Sequence, residues 1–584
     1  MIVKLLCDLT LMWLILGVTA LALLGWGNLT WLLLRIAPPN RSNMMTIWLG
    51  FCSVLLALES VHLFFRIDWK VSLAVVVVGL IGLQRIRLKL DRSAWQKASV
   101  WLRERTLYVV LALLIVCYWS LRATETPIMF DSGLYHFASI RWLNEEPLVP
   151  GLANLHWRLA LNQSYFGFIA LLNTAPYWNK GYAAAGLFLL ALTTVTLFRV
   201  TARSPRVWRY VLVGILFVYI NQLAGSVANP SPDFAVALLE IVVFLYLYDF
   251  IAQQAHDLEH SQWHIAVLVF LATALVTVKL SGVAFSGASL YLVLYYARKN
   301  WRLNRQIILK SLGLMSAVMA IHCVRNILLS GAPFFPSTFA GIWGLPWALP
   351  ISIVEFESAL IYSWARVPGI LSPATQHWGE LSWVQGWLSQ LPRSWQIMFL
   401  FATVCMCLSI FLSIRNSKNQ HRSPFYSLYF PILSGFAFWI MTAPDIRFLG
   451  SVNVLFFALG FGLLASQMYA NMADTNIQHP KRFHSMVWRI TPLLGVALIA
   501  IIVLRWIVIQ PLSLVGWQPL PRIAPNIFTT AWGLNVNVPA DGAQCWDAPL
   551  PCANVVYGSL HKVNWVASGR LLGLVDHRYS LSLR

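Results

Sequence analysis

Charged residues are scarce in this sequence. They account for 11% of its 584 residues, while 58% are hydrophobic, and an ordinary soluble domain carries about 25% charged residues. A water-soluble globule of this length still needs a polar shell, so the composition excludes one. The sequence therefore predicts an integral membrane protein whose apolar surface faces lipid.

Motifs for soluble cofactors are also missing. No P-loop is present, and no Rossmann glycine fingerprint follows a strand pattern. The chain has no solenoid repeat and no low-complexity linker. We therefore expect no organic cofactor, and a nucleotide-linked substrate used on the cytoplasmic side is disfavoured.

Acidic residues are few, with 22 against 42 basic ones, which gives a net charge of +20. The basic residues lie in short clusters between apolar runs, which is the pattern of loops on the cytoplasmic side of a membrane. Clusters of this kind orient the chain, and they argue against nucleic acid as a partner. They occur at 85–105, 199–209, 298–305, 415–422 and 481–489.

Apolar runs of about 18–25 residues, long enough to cross a bilayer, recur along the chain. The first is too long for the core of a signal peptide, and no small-residue cleavage site follows it, so we expect it to be retained. The predicted fold class is all-α transmembrane with about fourteen membrane-spanning helices. The expected spans are 5–25, 44–65, 69–84, 104–121, 181–199, 208–224, 233–252, 264–279, 282–297, 306–329, 396–414, 424–443, 448–468 and 487–510.

With the basic clusters inside, three long stretches lie outside the membrane. Two of them are the outer loops 122–180 and 330–395, and the third is the end of the chain. The predicted organisation is a group of N-terminal flanking helices (1–103), a membrane core (104–510) and a small extracytoplasmic tail (511–584).

Six of the eight cysteines fall within apolar runs and are expected to be small buried hydrophobic residues. The other two, Cys545 and Cys552, lie together in the polar tail. Because the compartment outside the membrane is oxidising, we predict a disulfide between them. No further cysteine or nearby histidine completes a metal site there.

The first outer loop carries a concentration of reactive side chains. Asp131 is placed to cap a helix that begins just after it. Tyr135 follows at helical spacing, and His156 and Arg158 come later in the same loop. A carboxylate, an imidazole and a guanidinium are therefore predicted to meet at the mouth of the membrane domain.

Three further candidates lie at short outer turns or at the end of a span. Asp233 and Lys279 flank helices at such turns, and Arg447 follows Pro444 and Asp445. Ionisable groups near membrane depth are costly, which makes a functional role the default hypothesis. On the predicted topology, all of the candidate chemistry lies on one face.

Four segments together resemble a group of bacterial membrane proteins with the architecture of the GT-C superfamily. Residues 131–136 read Asp-Ser-Gly-Leu-Tyr-His, and residues 149–156 read Val-Pro-Gly-Leu-Ala-Asn-Leu-His. Residues 279–281 read Lys-Leu-Ser, and residues 325–331 read Arg-Asn-Ile-Leu-Leu-Ser-Gly. Residues 444–448 also resemble that superfamily's Pro-Arg-Tyr/Phe segment. The resemblance spans about residues 105 to 470.

The GT-C superfamily comprises multi-spanning glycosyltransferases that use sugars carried on polyprenyl phosphates. The resemblance implies transfer of such a sugar to a lipid or polysaccharide acceptor at the outer face of a bacterial inner membrane. It implies that Asp131 is the catalytic base and that Lys279, Arg325 and Arg447 bind the phosphate. The other implied substrate-binding residues are Tyr135, His136, His156, Arg158 and Asp233.

One departure concerns metal ions. Many GT-C enzymes carry two adjacent acidic residues in the first loop, whereas Asp131 is followed by Ser132. A divalent cation usually needs more oxygen ligands than one carboxylate supplies. A metal ion is therefore disfavoured.

Each candidate residue also has a purely structural interpretation. Asp131 and Asp233 can be helix caps. Lys279 and Arg447 can snorkel to the interface or pair with carboxylates. Arg325 shares a helix face with His322 and can pair with Glu240 or with backbone carbonyls. Glu59 and His62, on one face of an early helix, are better explained by structural pairing, and His156 and Arg158 can belong to an ordinary loop.

Three other functions remain open at this point. A polysaccharide polymerase or ligase would use Arg366 and His377 of the outer loop 330–395. A transporter or flippase would show internal repeats with broken helices at corresponding positions, and the sequence has no such symmetry. A catalytically inactive scaffold is the third.

Overall fold

Apolar runs separated by polar turns fold into a helical bundle in the computed structural model. The model describes residues 2–37, 43–84, 106–173, 180–253, 258–368, 382–415, 423–474, 517–531, 533–554, 560–562 and 574–576. The described helices are α1 (Ile2–Leu34), α2 (Asn43–His62), α3 (Trp69–Gln84), α4 (Thr106–Ala123), α5 (Phe137–Glu145), α6 (Ser164–Asn173), α7 (Gly181–Thr201), α8 (Arg206–Leu223), α9 (Pro232–Gln253), α10 (Leu258–Val278), α11 (Val283–Ala297), α12 (Trp301–Ser330), α13 (Ile351–Arg366), α14 (Ser382–Gln390), α15 (Arg393–Arg415), α16 (Tyr429–Thr442) and α17 (Val452–Asp474).

Ten stretches among the described residues are long and apolar enough to cross a membrane. One of them, Leu280–Ser330, contains both α11 and α12. The apolar helices α3, α4 and α6 are shorter. The protein is therefore a multi-pass, mostly helical membrane protein. Fourteen spans stay a prediction, because the last of them, 487–510, lies outside the described residues.

Helix α9 is buried from Phe234 to Ile251. It packs against α7 and α10. The first three helices pack on one another through small residues, and Gly25 of α1 lies directly against the backbone of Gly79 in α3. Small residues at such crossings let helix backbones approach closely within a membrane. Helix α2 also contacts α6 and α10, which joins this N-terminal group to the core.

The described part of the tail contains short antiparallel strand pairs. Strand β1 (Pro525–Thr529) pairs with β2 (Asn535–Pro539), with Ile527 opposite Asn537. Strand β3 (Leu560–Lys562) pairs with β4 (Leu574–Asp576). After β2 the chain forms a loop, residues 543–554 (the tail loop), within which Cys545 is disulfide-bonded to Cys552.

Candidate functional site

A large cavity lies at one end of the bundle, where the outer loops meet. Its volume is about 1000 Å³. Most of its lining is apolar, with Phe438 and Leu360 among the residues, and charged groups also line it. Seven of the predicted site residues line it: Asp131, Tyr135, His156, Arg158, Asp233, Lys279 and Arg447. We call this space the main cavity.

Asp131 is held between two guanidinium groups on the wall of this cavity. Its Oδ1 lies 3.1 Å from Arg158 Nη1, and its Oδ2 lies 3.1 Å from Arg447 Nη1. The residue has helical backbone angles at the start of a five-residue π-helical turn, Ser132–His136, and its side chain makes no capping hydrogen bond. The prediction that Asp131 caps a helix is therefore wrong, because the carboxylate is engaged by the arginines instead.

Two opposing effects set the pKa of Asp131. Burial acts to raise the pKa of this carboxyl, but the side chains of His136, Arg158 and Arg447 outweigh burial and lower that pKa below its ordinary value. At a pH where His136 is neutral, the two guanidinium groups remain as the positive charges. Asp131 is therefore ionised at neutral pH.

Glu357 is a buried carboxylate that the sequence reasoning missed. It lies on α13 in the second outer loop, where Arg158 Nε donates to Oε1 at 3.0 Å and Trp157 Nε1 donates to Oε2 at 2.7 Å. Burial raises the pKa of Glu357, and Arg158 lowers it only in part. The signal in the sequence is an acidic residue within a mostly apolar, amphipathic helix, which also carries Glu355. Arg158 thus joins two carboxylates, Asp131 and Glu357.

Lys279 lies in a break between two membrane helices. Helix α10 ends at Val278, a 3₁₀ turn covers Leu280–Gly282, and α11 begins at Val283. The Lys279 ammonium forms an ion pair with Asp233, which lies in the first turn of α9. It also lies 4.2 Å from the centre of the Phe448 ring.

Arg447 approaches the same aromatic ring from the late helices. Its guanidinium carbon lies 5.3 Å from the centre of the Phe448 ring. Its Nε donates to Asp445 at 3.3 Å, and the Asp445 side chain also accepts from the backbone N–H of Arg447 at 2.9 Å. The predicted carboxylate pairing of Lys279 and Arg447 is therefore present, within the cavity wall.

The sequence matches the family DUF8201, a domain of unknown function, over residues 9–456. The protein belongs to the DUF8201 family. The matched region includes every charged residue of the main cavity described above and ends before the tail. The sequence has no match among curated proteins.

Among solved structures, this DUF8201 protein is similar to the arabinosyltransferase EmbB from Mycobacterium smegmatis. The two share 15% sequence identity with a TM-score of 0.32, over 68% of this chain and 33% of that chain. The matched part thus spans about a third of EmbB. A similarity of this size does not establish a shared function.

His156 and His136 of this DUF8201 protein are neutral at neutral pH. Burial lowers the pKa of His156 to about 4, with Arg158 adding to the effect, and the ring stacks on Trp157 at 5.0 Å. Burial also lowers the pKa of His136 to about 4, and His136 packs against Phe166 behind the cavity wall. Tyr135 is buried, which raises the pKa of its phenol. Of the predicted binding residues, His136 is therefore not brought to the cavity surface.

Arg325 also lies outside the main cavity. It is 4% exposed, and its Nη1 donates to the backbone oxygen of Glu59 at 3.0 Å and to His62 Nδ1 at 3.1 Å. Its Nε donates to Asn162 Oδ1 at 3.2 Å. The geometry does not support the predicted phosphate contact, because every one of these donors is directed into the protein.

Of the two structural pairings predicted for Arg325, the one with a backbone carbonyl is present, at Glu59, and the one with Glu240 is not. Glu240 instead accepts a hydrogen bond from the backbone N–H of Ser451 at 2.6 Å. Glu59 is joined to the later helices through His322, whose Nδ1 lies 2.8 Å from Glu59 Oε1. The structural pairing expected for Glu59 and His62 is therefore made with α12.

No three histidine, cysteine, aspartate or glutamate side chains within the described ranges are arranged to hold a metal ion. The charged lining of the main cavity that the structure describes consists of four carboxylates and three cations: Asp131, Asp233, Glu357 and Asp445 with Arg158, Lys279 and Arg447. Such a lining can accept a proton, bind an anion that competes with a carboxylate, and orient hydroxyl groups.

Proposed function

We propose that this DUF8201 protein transfers a sugar from a polyprenyl-phosphate carrier to a lipid or polysaccharide acceptor at the outer face of a bacterial inner membrane. The observation that carries the proposal is the Asp131 carboxylate between Arg158 and Arg447 on the wall of a cavity whose lining is mostly apolar. The motif resemblance described above supplies the reaction class.

The cavity suits an amphiphilic donor. Its apolar lining residues, among them Leu360, Trp364 and Phe438, offer contact area for an isoprenoid chain. Lys279 and Arg447 lie close to one aromatic ring, Phe448, where a phosphate would be placed. Arginine suits such a group because its planar fork matches two phosphate oxygens.

The ion pairs link proton transfer to phosphate departure. Asp131 takes the proton of the acceptor hydroxyl as the new glycosidic bond forms and the bond from the sugar to the phosphate oxygen breaks. Once Asp131 is neutral, its attraction for Arg447 weakens. Arg447 is then released to hold the departing phosphate as negative charge develops on it, which stabilises the transition state electrostatically.

The polymerase or ligase alternative has less support from the described residues. Arg366, which would carry it, donates to the backbone oxygens of Tyr362 at 3.0 Å and Thr442 at 2.9 Å. Its guanidinium carbon lies 3.3 Å from the centre of the Tyr362 ring. Arg366 is therefore occupied at the end of α16. His377, the other residue of that hypothesis, lies outside the described residues.

The deciding experiment compares surface glycan and lipid-linked sugar in cells that carry Asp131→Asn, Asp68→Asn, wild type or a deletion. Asp68 is a matched control, because it pairs with Arg66 at 3.2 Å outside the main cavity. We expect Asp131→Asn to reduce transfer about 10²–10⁴-fold at equal protein level. The lipid-linked donor should then accumulate as in the deletion, and Asp68→Asn should match wild type.

Two outcomes would contradict the proposal. If Asp131→Asn supports normal glycan while the deletion does not, the catalytic carboxylate lies elsewhere, and the polymerase or ligase hypothesis regains weight. If the deletion leaves both the glycan and the lipid-linked sugar unchanged, the protein is not this transferase.

A further inference from the structure

A second, smaller cavity lies beside the main cavity, between α2, α5 and α12. Its volume is about 50 Å³. Most of its wall is apolar, but Glu59, Ser139, Trp142 and Gln163 also line it, together with the Arg325 side chain. We call it the side chamber.

Four buried polar atoms of these side chains have no hydrogen-bond partner among the residues that the structure describes. They are Glu59 Oε2, Ser139 Oγ, Trp142 Nε1 and Gln163 Oε1. Buried polar groups are nearly always hydrogen-bonded, so four such atoms around one cavity indicate a bound polar ligand. They come from three separate parts of the chain.

The mixture of donors and acceptors identifies the ligand. The Trp142 indole N–H can only donate, the Glu59 carboxylate and the Gln163 carbonyl can only accept, and a serine hydroxyl does both. A cation would face the indole N–H and the Arg325 guanidinium, and an anion would be repelled by Glu59. Water satisfies all four atoms. At 10–15 Å³ each, the chamber has room for about three water molecules.

His322 connects the side chamber to the main cavity. Its Nδ1 lies 2.8 Å from Glu59 Oε1, and the imidazole also lines the main cavity. Asn162 and Gln163 line both spaces. We propose that the side chamber holds a cluster of about three water molecules, and that Glu59, His322 and this water form a proton outlet for the main cavity.

The outlet is a chain of proton-exchanging groups. Besides His322, the titratable and charged groups that face Glu59 are His62 on its own helix and Cys323 and Arg325 on α12. The first outer loop and the helices that flank it contribute the neutral Ser139, Trp142, Asn162 and Gln163. Arg325 donates to the backbone of Glu59 and to His62, so the carboxylate oxygens of Glu59 remain available to His322 and to water.

The proton balance rests on the proposed transfer reaction. In that reaction the acceptor O–H bond breaks, and its proton moves to Asp131. From there it passes through the main cavity to Nε2 of His322, while the Nδ1 proton of His322 moves to Glu59. Glu59 then releases a proton to the chamber water, which passes it to bulk solvent through the open part of the chamber. His322 returns to its first tautomer by exchanging protons with the water on its two sides. One proton enters and one leaves, and Asp131 is returned to its ionised form.

The water is tested by hydroxyl-radical footprinting of the full-length protein in lipid nanodiscs, with radicals generated by X-ray radiolysis of bound water. We expect Trp142 to be modified although it is 4% exposed. Trp48 is the matched control, because it is fully buried, lines neither cavity and donates to Thr196 at 2.8 Å. Gln163→Leu should reduce the labelling of Trp142. If Trp142 is as unreactive as Trp48, the chamber is dry and the proposal fails.

The outlet is tested with Glu59→Gln, which keeps the shape and the hydrogen-bonding oxygen. The readout is transfer in membrane vesicles across a range of pH, with the lipid-linked sugar extracted from deletion cells as donor. The control is Asp249→Asn, which neutralises another buried carboxylate. Asp249 pairs with His264 at 3.0 Å, and it lies near the end of α9 that is farther from the main cavity. We expect Glu59→Gln to slow transfer and change its pH profile while Trp142 labelling persists.

The loss should be smaller than the roughly hundredfold or greater loss expected for Asp131→Asn, because Glu59 acts after the bond-making step. A Glu59→Gln protein with wild-type rates at every pH would show that the water is only structural and would overturn the outlet. If wild type itself transfers no sugar, the proposed function fails, and the labelling of Trp142 still decides whether the chamber holds water.

Discussion

Asp131 meets two guanidinium groups through different oxygens, and this arrangement sets the pH at which it can act as a base. A base must be ionised, so transfer should fall as pH decreases through the pKa of Asp131, which lies below the ordinary carboxyl range. Arg447→Gln removes one charge that lowers this pKa. The pKa then rises, and the acid side of the pH–rate profile should move to higher pH.

The measurement is the relative transfer rate against pH in vesicles, normalised to each variant's maximum. Arg66→Gln serves as the control, since Arg66 pairs with Asp68 outside the main cavity. If the transfer rate falls at the same low pH in Arg447→Gln as in wild type, the group that titrates there is not Asp131.

Arg325 and Arg447 were predicted to act alike, and the structure gives them different neighbours. Arg325→Ala leaves a buried hydrogen-bond network without its central donor, which should cost about 3–5 kcal/mol of stability. Arg325→Lys should not restore the loss, because a single ammonium cannot reach acceptors arranged around a planar fork. We expect a much lower melting temperature in detergent for both variants.

The control for this prediction is Arg66→Ala, because the Arg66 side chain is 56% exposed and exposed ion pairs contribute little. Equal melting temperatures for Arg325→Ala and Arg66→Ala would contradict the structural role assigned to Arg325.

At the scale of elements, the positions of most helices follow from the lengths of the apolar runs. Even the break at Lys279 was predicted, since a polar residue followed by Ser281 and Gly282 interrupts two apolar segments. A helix after Asp131 was predicted correctly, but the capping role of Asp131 was not. Its carboxylate is engaged by Arg158 and Arg447, which lie 27 and 316 residues away in sequence, and such distant partners leave no local pattern.

The tail loop docks directly on the turn that carries Asp131. Trp546 donates from its backbone N–H to the Gly133 oxygen at 2.9 Å, and Gln544 donates to the Phe130 oxygen at 2.8 Å. A Cβ atom at Gly133 would lie 2.6 Å from the Trp546 ring. Gly133→Val should therefore displace the tail loop and reduce transfer, and Trp546→Ala in the same chain should restore part of the loss.

Displacement is measured as faster proteolysis of the tail. Gly287→Val is the matched control, because a Cβ atom at Gly287 meets nothing within 4 Å. If Gly133→Val and Gly287→Val behave alike, the docking seen here does not position the Asp131 turn.

At the scale of the whole molecule, the disulfide reports the side of the membrane on which the tail lies. The predicted topology places the tail outside. In a variant that retains only Cys545 and Cys552, a membrane-impermeant maleimide added to intact spheroplasts should label the protein only after reduction. Labelling that requires permeabilised membranes would place the tail inside and would contradict the topology.

The sequence predicted that most of the charged cavity residues lie on one side of the membrane, since basic clusters are expected to orient the helices. It did not predict the cavity itself. Glu357 was missed since its role depends on Arg158 from another loop, and the contribution of the tail was missed because its contacts with the first outer loop cross most of the chain. The hydrophobic periodicity of a single segment gives no information about long-range packing of this kind.

Ala543 and Asn554 of the tail loop belong to the wall of the main cavity, whose first residue in the chain is Phe130. A ribosome that inserts this protein delivers its helices in order, and the cavity wall is completed only when synthesis has reached Asn554. Before that point the nascent chain already carries Asp131, Lys279 and Arg447 in the membrane, without the segment that docks on the Asp131 turn. The order of synthesis therefore keeps an unfinished chain from presenting a complete cavity to the bilayer around it.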